Sequence, residues 1–193
     1  MKRIVLLSCV LLALIVSFAA GFRTALSREH GRLERNKTLA RLSHDKVWSE
    51  PSNEAAVRVA REIYTNDFIV HNWAGDSTGG LEAFTKDFTE NRAYFPDWKE
   101  TVQSVVAEGD LVAVRFLSTG NQGQDIPAVP HFLPFIPNRH RHLRMQETEI
   151  FRIADGKLAE QWDMFDNWDA NAQLGLFDPD HWPESACGTA QKR

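Results

Sequence analysis

The chain has 193 residues and a net charge of −4, long enough for one domain with a real core and too short for two of ordinary size. Residues 1–22 hold two basic and no acidic side chains, residues 23–48 seven basic against three acidic, and residues 49–193 thirteen against twenty-three. An acidic body without a basic stripe argues against nucleic acid as a partner.

Lys2 and Arg3 precede an apolar run, Ile4–Ala20, that ends in small residues at Ser17, Ala19, Ala20 and Gly21. This is the layout of a secretory signal peptide, with the mature chain beginning near residues 20–22 and an exported, periplasmic or extracellular destination. The alternative is a retained membrane anchor, since about 17 apolar residues lie at the lower end of what spans a bilayer. Export favours disulfides, yet only Cys187 lies outside this segment, so the mature chain has no internal bridge. Residues 23–48, rich in arginine and poor in apolar positions, read as a basic linker. It is either solvated or drawn to anionic lipid. Asn36-Lys37-Thr38 within it fits a glycosylation sequon, meaningful only in a host that glycosylates exported chains.

Ser52 is a plausible N-cap for a helix running through Val57, Val59, Ala60, Ile63 and Tyr64. Phe68–His71 then reads as extended, and a turn at Asp76–Gly80 leads into a second helix from about Leu81 to Tyr94, stopped by Pro96. The period changes to two from Val102 to Leu117 around Glu108-Gly109-Asp110, which predicts a hairpin. Four prolines between residues 120 and 139 exclude a central strand there. A last hairpin, about 142–166, surrounds Asp155-Gly156, and residues 167–175 form a short turn or helix. The order of elements is α+β, with helices on one face of a curved antiparallel sheet. The domain occupies residues 49–177, followed by a tail, 178–193.

The last hairpin brings acidic residues into an apolar context. Asp163 lies among Trp162, Met164 and Phe165, where a carboxylate is poorly solvated. A two-residue turn at Asp155-Gly156 sets Thr148 opposite Asp163 and turns Glu149 to the other face. A three-residue turn, Ala154-Asp155-Gly156 with Gly156 left-handed in a bulge, puts Glu147, Glu149, Phe151, Ala159, Gln161, Asp163 and Phe165 on one face. The bulged form is the preferred expectation.

These segments resemble the SnoaL-like polyketide cyclases, also called ester-cyclase-like proteins, of the nuclear transport factor 2-like superfold. The likeness rests on YTNDFIVHNW, Gly80–Phe84, FPDW at Phe95–Trp98, AEGDLVAVRF at Ala107–Phe116, and above all IFRIADGKLAEQWDMFD with the following QLG. It implies a cone-shaped fold in which a curved antiparallel sheet wraps around helices and encloses an apolar cavity, and a homodimer formed through the sheet. It also implies a small apolar ligand and no metal or organic cofactor, with Asp163 at the position of the cyclases' general acid/base. Glu149 stands where those cyclases carry a histidine, which gives Asp163 a second carboxyl as neighbour. His71 matches a position where relatives often carry histidine, at the cavity mouth. Phe84, Phe88, Trp98, Phe116 and Phe151 are the expected cavity lining. The fold also hosts isomerases, dehydratases, epoxide hydrolases and non-catalytic binders, so a ligand-binding or interaction domain is the competing expectation.

His131, His140 and His142 raise the question of a metal, but Arg139, Arg141 and Arg144 interleave with them and oppose a cation. Trp162, Trp168 and Trp182 suit a cavity wall or dimer seam better than a sugar platform. No Ser-His-Asp spacing, nucleophilic cysteine environment or phosphate-cradling glycine loop is present.

Overall fold

The computed structural model describes residues 2–72, 75–77, 79–128 and 134–176. Helix α1, Lys2–Ser43, passes into a wider π-helical turn, His44–Trp48, followed by α2, Asn53–Ile63. Strands β1, Tyr64–Asn72, and β2, Gly75–Asp76, precede α3, Gly80–Tyr94. Four strands complete the sheet: β3, Lys99–Glu108, β4, Leu111–Asn121, β5, His142–Ala154, and β6, Lys157–Phe165. Helix α4, Asn167–Gln173, closes the described chain. The strand order is β2-β1-β6-β5-β4-β3; β1 runs parallel to β6, and the other pairs are antiparallel.

Ser52 caps α2 by accepting the Ala55 N–H at 3.2 Å. This bond satisfies one of the donors that a helix start leaves orphaned. At the start of α3, Gly80 adopts φ +61° and passes so close to β1 that a Cβ there would stand 2.2 Å from the Asn66 carbonyl oxygen. Only glycine meets both demands. The apolar stripe of α3 then packs onto β1. Phe84 and Phe88 join Tyr64, Phe68 and Trp48 in one aromatic cluster, with ring centroids 4.5–6.0 Å apart.

Burial alternates along the neighbouring strands β4 and β5, which put Val112, Val114 and Phe116 beside Leu143, Met145, Phe151 and Ile153 on one inner face. A second apolar group beneath the proline-rich segment gathers Ile126, Ile136, Leu143, Met145, Ala170 and Leu174. Ile126 and Ile136 exchange backbone hydrogen bonds at 2.8 and 2.9 Å, pinning that segment without a long strand.

The segment read as linker departs most from expectation. Ala40, Ser43, His44 and Val47 are fully buried, and Leu39, Leu42 and Trp48 pack against the core. The folded unit therefore extends back through α1 well before residue 49. Asn36 is only 7% exposed, which removes the sequon from the folded surface. The apolar run Ile4–Ala20 lies within α1, and its side chains through residue 16 fall outside the described set.

Candidate active site

The hairpin register that controls the site differs from both alternatives in detail. Ala154 pairs with Lys157 across a two-residue turn in which Asp155, φ +50°, and Gly156, φ +75°, are both left-handed. That is the twist a tight hairpin prefers, so the preferred three-residue turn is incorrect. One step later the register shifts between Arg152 and Ile153, because Leu158 and Ala159 are both buried and oppose the single residue Ile153. This bulge restores the parity that the tight turn had removed. Glu149 therefore stands opposite Asp163, and Glu147, Glu149, Phe151, Gln161 and Asp163 share the inner face.

Glu147 and Glu149 occupy the same face of β5 as Met145, Phe151 and Ile153, so strand geometry carries both carboxyls into the core. Gln161 Nε2 donates to Glu149 Oε1 at 3.0 Å. A fourth acid arrives from β3. Glu100 accepts from Trp98 Nε1 at 3.1 Å, and its other oxygen lies 2.6 Å from His44 Nδ1. His44 Nε2 lies 3.7 Å from Glu149 Oε2, beyond a hydrogen bond. The imidazole packs against Phe116, with centroids 4.3 Å apart, and against Phe151 at 6.1 Å. Beside it, Ser43 Oγ and the Tyr64 hydroxyl are 2.6 Å apart. Arg92 locks the turn that carries His44, donating to the Val47 and Trp48 carbonyls and, at 3.0 Å, to Asn53 Oδ1.

Burial dominates the titration of every group here. Loss of water raises Asp163 to about 7, Glu100 to about 8 and Glu147 to about 9, and pushes Glu149 well above the carboxylate range, with the charge of Asp163 adding to the last. The same desolvation lowers His44 to about 4. At neutral pH the close pair is thus a neutral histidine and a protonated Glu100, not an ion pair. With Glu100 donating to Nδ1, the ring proton sits on Nε2 and points toward Glu149, an assignment that follows from the heavy-atom geometry. Tyr64 is also raised well above its ordinary value by burial, which keeps its hydroxyl protonated.

Of the three expected reacting residues, Asp163 and Glu149 come together and His71 does not. His71 lies on the opposite face of β6, where its ring stacks on Trp162 at 4.6 Å. Its Nδ1 is 2.6 Å from Asp76 and its Nε2 is 2.9 Å from Glu160, which Arg152 also engages. The hydrogen bonds to Asp76 and Glu160 raise its pKa. Its pairing follows from β1 lying parallel to β6 with His71 beside Trp162. Among the expected lining residues, Phe116 and Phe151 flank His44, and Trp98 holds Glu100. Phe84 and Phe88 belong instead to the aromatic core between α3 and β1, because the α3 stripe is spent on strand packing.

Sequence reasoning missed His44, Glu100 and Glu147 as a connected centre. The signal for His44 was the spacing Asn36, Ala40, Ser43, His44, Val47, one helical face hidden among arginines. His142 bonds Asn121 at 3.1 Å, whereas His131, Trp73 and Trp182 lie outside the described residues.

The comparisons agree with this architecture. A SnoaL-like protein from Jannaschia sp. CCS1 superposes with a TM-score of 0.63 at 22% identity, covering 74% of this chain and 92% of its own. IdmH from Streptomyces antibioticus, assigned as a polyketide cyclase, is 29% identical with a TM-score of 0.53, covering 67% of this chain and 94% of its own. An epoxide hydrolase from M. tuberculosis shares the fold at 11% identity and a TM-score of 0.55, covering 74% and 91%. No curated protein sequence matches the chain. The family model described as SnoaL-like polyketide cyclase matches residues 38–174, starting inside α1 and including His44, and the chain belongs to that family.

Proposed function

We propose that the protein is an exported or membrane-tethered member of this family that binds a small, largely apolar molecule. In this reading Asp163 acts as general acid and base in a proton-transfer reaction without a cofactor, such as ring closure, isomerisation or hydration. The observation that carries it is Asp163, raised to about 7 and facing Glu149 inside a buried acid cluster. A base works best when its pKa lies near the operating pH. In a ring closure, the Asp163 carboxylate takes a proton from a carbon beside a substrate carbonyl, and the C–H electron pair forms an enolate. The enolate carbon then bonds to a second carbonyl carbon, and that carbonyl's oxygen receives the proton back from Asp163. Burial, with the charge of Glu100 adding to it, sustains the raised pKa of Asp163 against the opposing effect of His44. Exposed Phe18, Phe22 and Leu26 continue an apolar stripe along α1 past the hydrophobic run, which supports the tether. Exposed Val106, Leu111 and Met164 on the outer face of the sheet support a homodimer through that face.

Mass spectrometry of small molecules retained by the purified protein tests the chemistry. Wild type yields a converted product, and Asp163→Asn yields the unconverted precursor with turnover lowered at least about a hundredfold. The same unaltered ligand on both proteins would contradict catalysis and favour a carrier.

A further inference from the structure

Four side-chain oxygens on the inner face of β5 and β6 have no hydrogen-bond partner although each is buried: Glu147 Oε1, Glu149 Oε2, Gln161 Oε1 and Asp163 Oδ1. Glu147, Glu149 and Gln161 are 8%, 3% and 3% exposed. Buried polar atoms in native proteins are nearly always paired, so four orphans on adjacent positions mark a place where something else completes the bonding. The Gln161 amide nitrogen is already committed to Glu149, which leaves its oxygen an acceptor only. The other three orphans belong to carboxyls. Among the described residues the only basic side chain set against Glu100, Glu147, Glu149 or Asp163 is His44, which burial keeps neutral. Every arginine and lysine of the other ion pairs is spent elsewhere: Arg152, for instance, pairs with Glu160 on the opposite face.

From this geometry we infer that the ligand of the site carries a protonated amine, an ammonium group on an apolar body, seated among Glu147, Glu149, Gln161 and Asp163. The inference rests on the proposal that this site binds a small molecule, and narrows its chemical class. An ammonium supplies donors to oxygens that lack them, and its positive charge lets a buried carboxyl ionise beside it. Phe116 and Phe151, which flank His44, give the site apolar surroundings. Asp163 and Phe165, both partly exposed, give the open end. Among the described residues no cluster has the arrangement to hold a metal ion, which sets the organic cation apart from a divalent one.

The binding is linked to protons. The groups facing the site are His44 from the π-helical turn, Tyr64 from β1, Glu100 from β3, Glu147 and Glu149 from β5, and Asp163 from β6; Asp45 and Arg92 act on Glu100 from further off. The carboxyls are held protonated by burial, so a cation entering the site drives at least one of them to ionise. One proton leaves for solvent for each carboxyl that does so. Affinity for an amine that stays protonated therefore rises about tenfold per pH unit for each proton released.

The test uses benzylammonium against benzyl alcohol, measured by isothermal calorimetry between about pH 6 and about pH 8 in buffers of different ionisation enthalpy. The expected result is proton release, tighter binding of benzylammonium as pH rises, at least about tenfold preference over benzyl alcohol, and loss of that preference in Glu149→Gln. A melting curve shows that the variant is folded. Equal binding of the alcohol, no binding of either compound, or displacement of benzylammonium by Mg2+ or Mn2+ would overturn the inference. Were the alcohol to bind equally while Asp163→Asn still blocked conversion of the retained molecule, the ammonium assignment would fall and the role of Asp163 would stand.

Discussion

Raising the pH from about 5 to about 9 will destabilise this protein steadily, with a slope of about 1.4 kcal/mol per pH unit for each proton the fold holds in excess of the unfolded chain. The sign follows from the direction of the shifts. Asp163, Glu100 and Glu147 are raised to about 7, 8 and 9, and Glu149 is raised well above its ordinary value. In the unfolded chain they ionise near pH 4, so from there upward the folded state binds more protons, and stability falls until each folded pKa is passed. His44, lowered to about 4, opposes this trend only up to its unfolded value near 6.5. A single net proton held over two pH units changes stability by about 3 kcal/mol, a large share of the 5–15 kcal/mol of a typical domain. Thermal melts across this range check the prediction. Glu149→Gln, nearly isosteric and still able to accept from Gln161, flattens the slope and melts higher than wild type at alkaline pH. A melting temperature that rises with pH would contradict the account.

A chain beginning at residue 49 will fail to fold cooperatively, whereas one beginning at residue 23 will melt like the full chain. Removing residues 23–48 strips Ala40, Val47, Leu39, Leu42 and Trp48 from the core. At about 1.5–3 kcal/mol for each large apolar side chain, the loss exceeds about 5 kcal/mol. It also leaves the Tyr64 hydroxyl without Ser43, Glu100 without His44, and Arg92 without the Val47 and Trp48 carbonyls. Each orphaned buried group adds to the penalty. Calorimetry of the two truncated chains is the check, and a sharp transition from the shorter one within a few degrees of wild type would contradict it.

That second prediction shows where the sequence was hard to read. Ser52, Pro96 and the Glu108–Asp110 turn are local signals with local causes, and α2, α3 and the β3-β4 hairpin appeared where they pointed. The α1 face that buries His44 carries few apolar side chains between arginines, and its partners Glu100, Phe116 and Phe151 are distant in sequence. The weak helical spacing of residues 36–47 marks that face but not these partners. The shared face of Glu149 and Asp163 was legible, but for a different reason. Asp155-Gly156 made the tight turn its residue types favour, and the compensating bulge at Leu158-Ala159 came from burying two apolar residues in succession. His71 was unreadable for a topological reason. Only the parallel pairing of β1 with β6 sets it beside Trp162 and Glu160 rather than Asp163.

The central claim is that Asp163 titrates near neutrality because it is buried, with the charge of Glu100 adding to the shift, and that its own charge raises Glu149 in turn. Carbon-13 NMR of the side-chain carboxyls measures this directly, with Asp163 and Glu149 followed through a pH titration in wild type, and Glu149 alone in Asp163→Asn. The account predicts a midpoint for Asp163 near 7, one for Glu149 above it, and a lower Glu149 midpoint once the Asp163 charge is gone. An Asp163 midpoint at the ordinary value of 3.8 would contradict it.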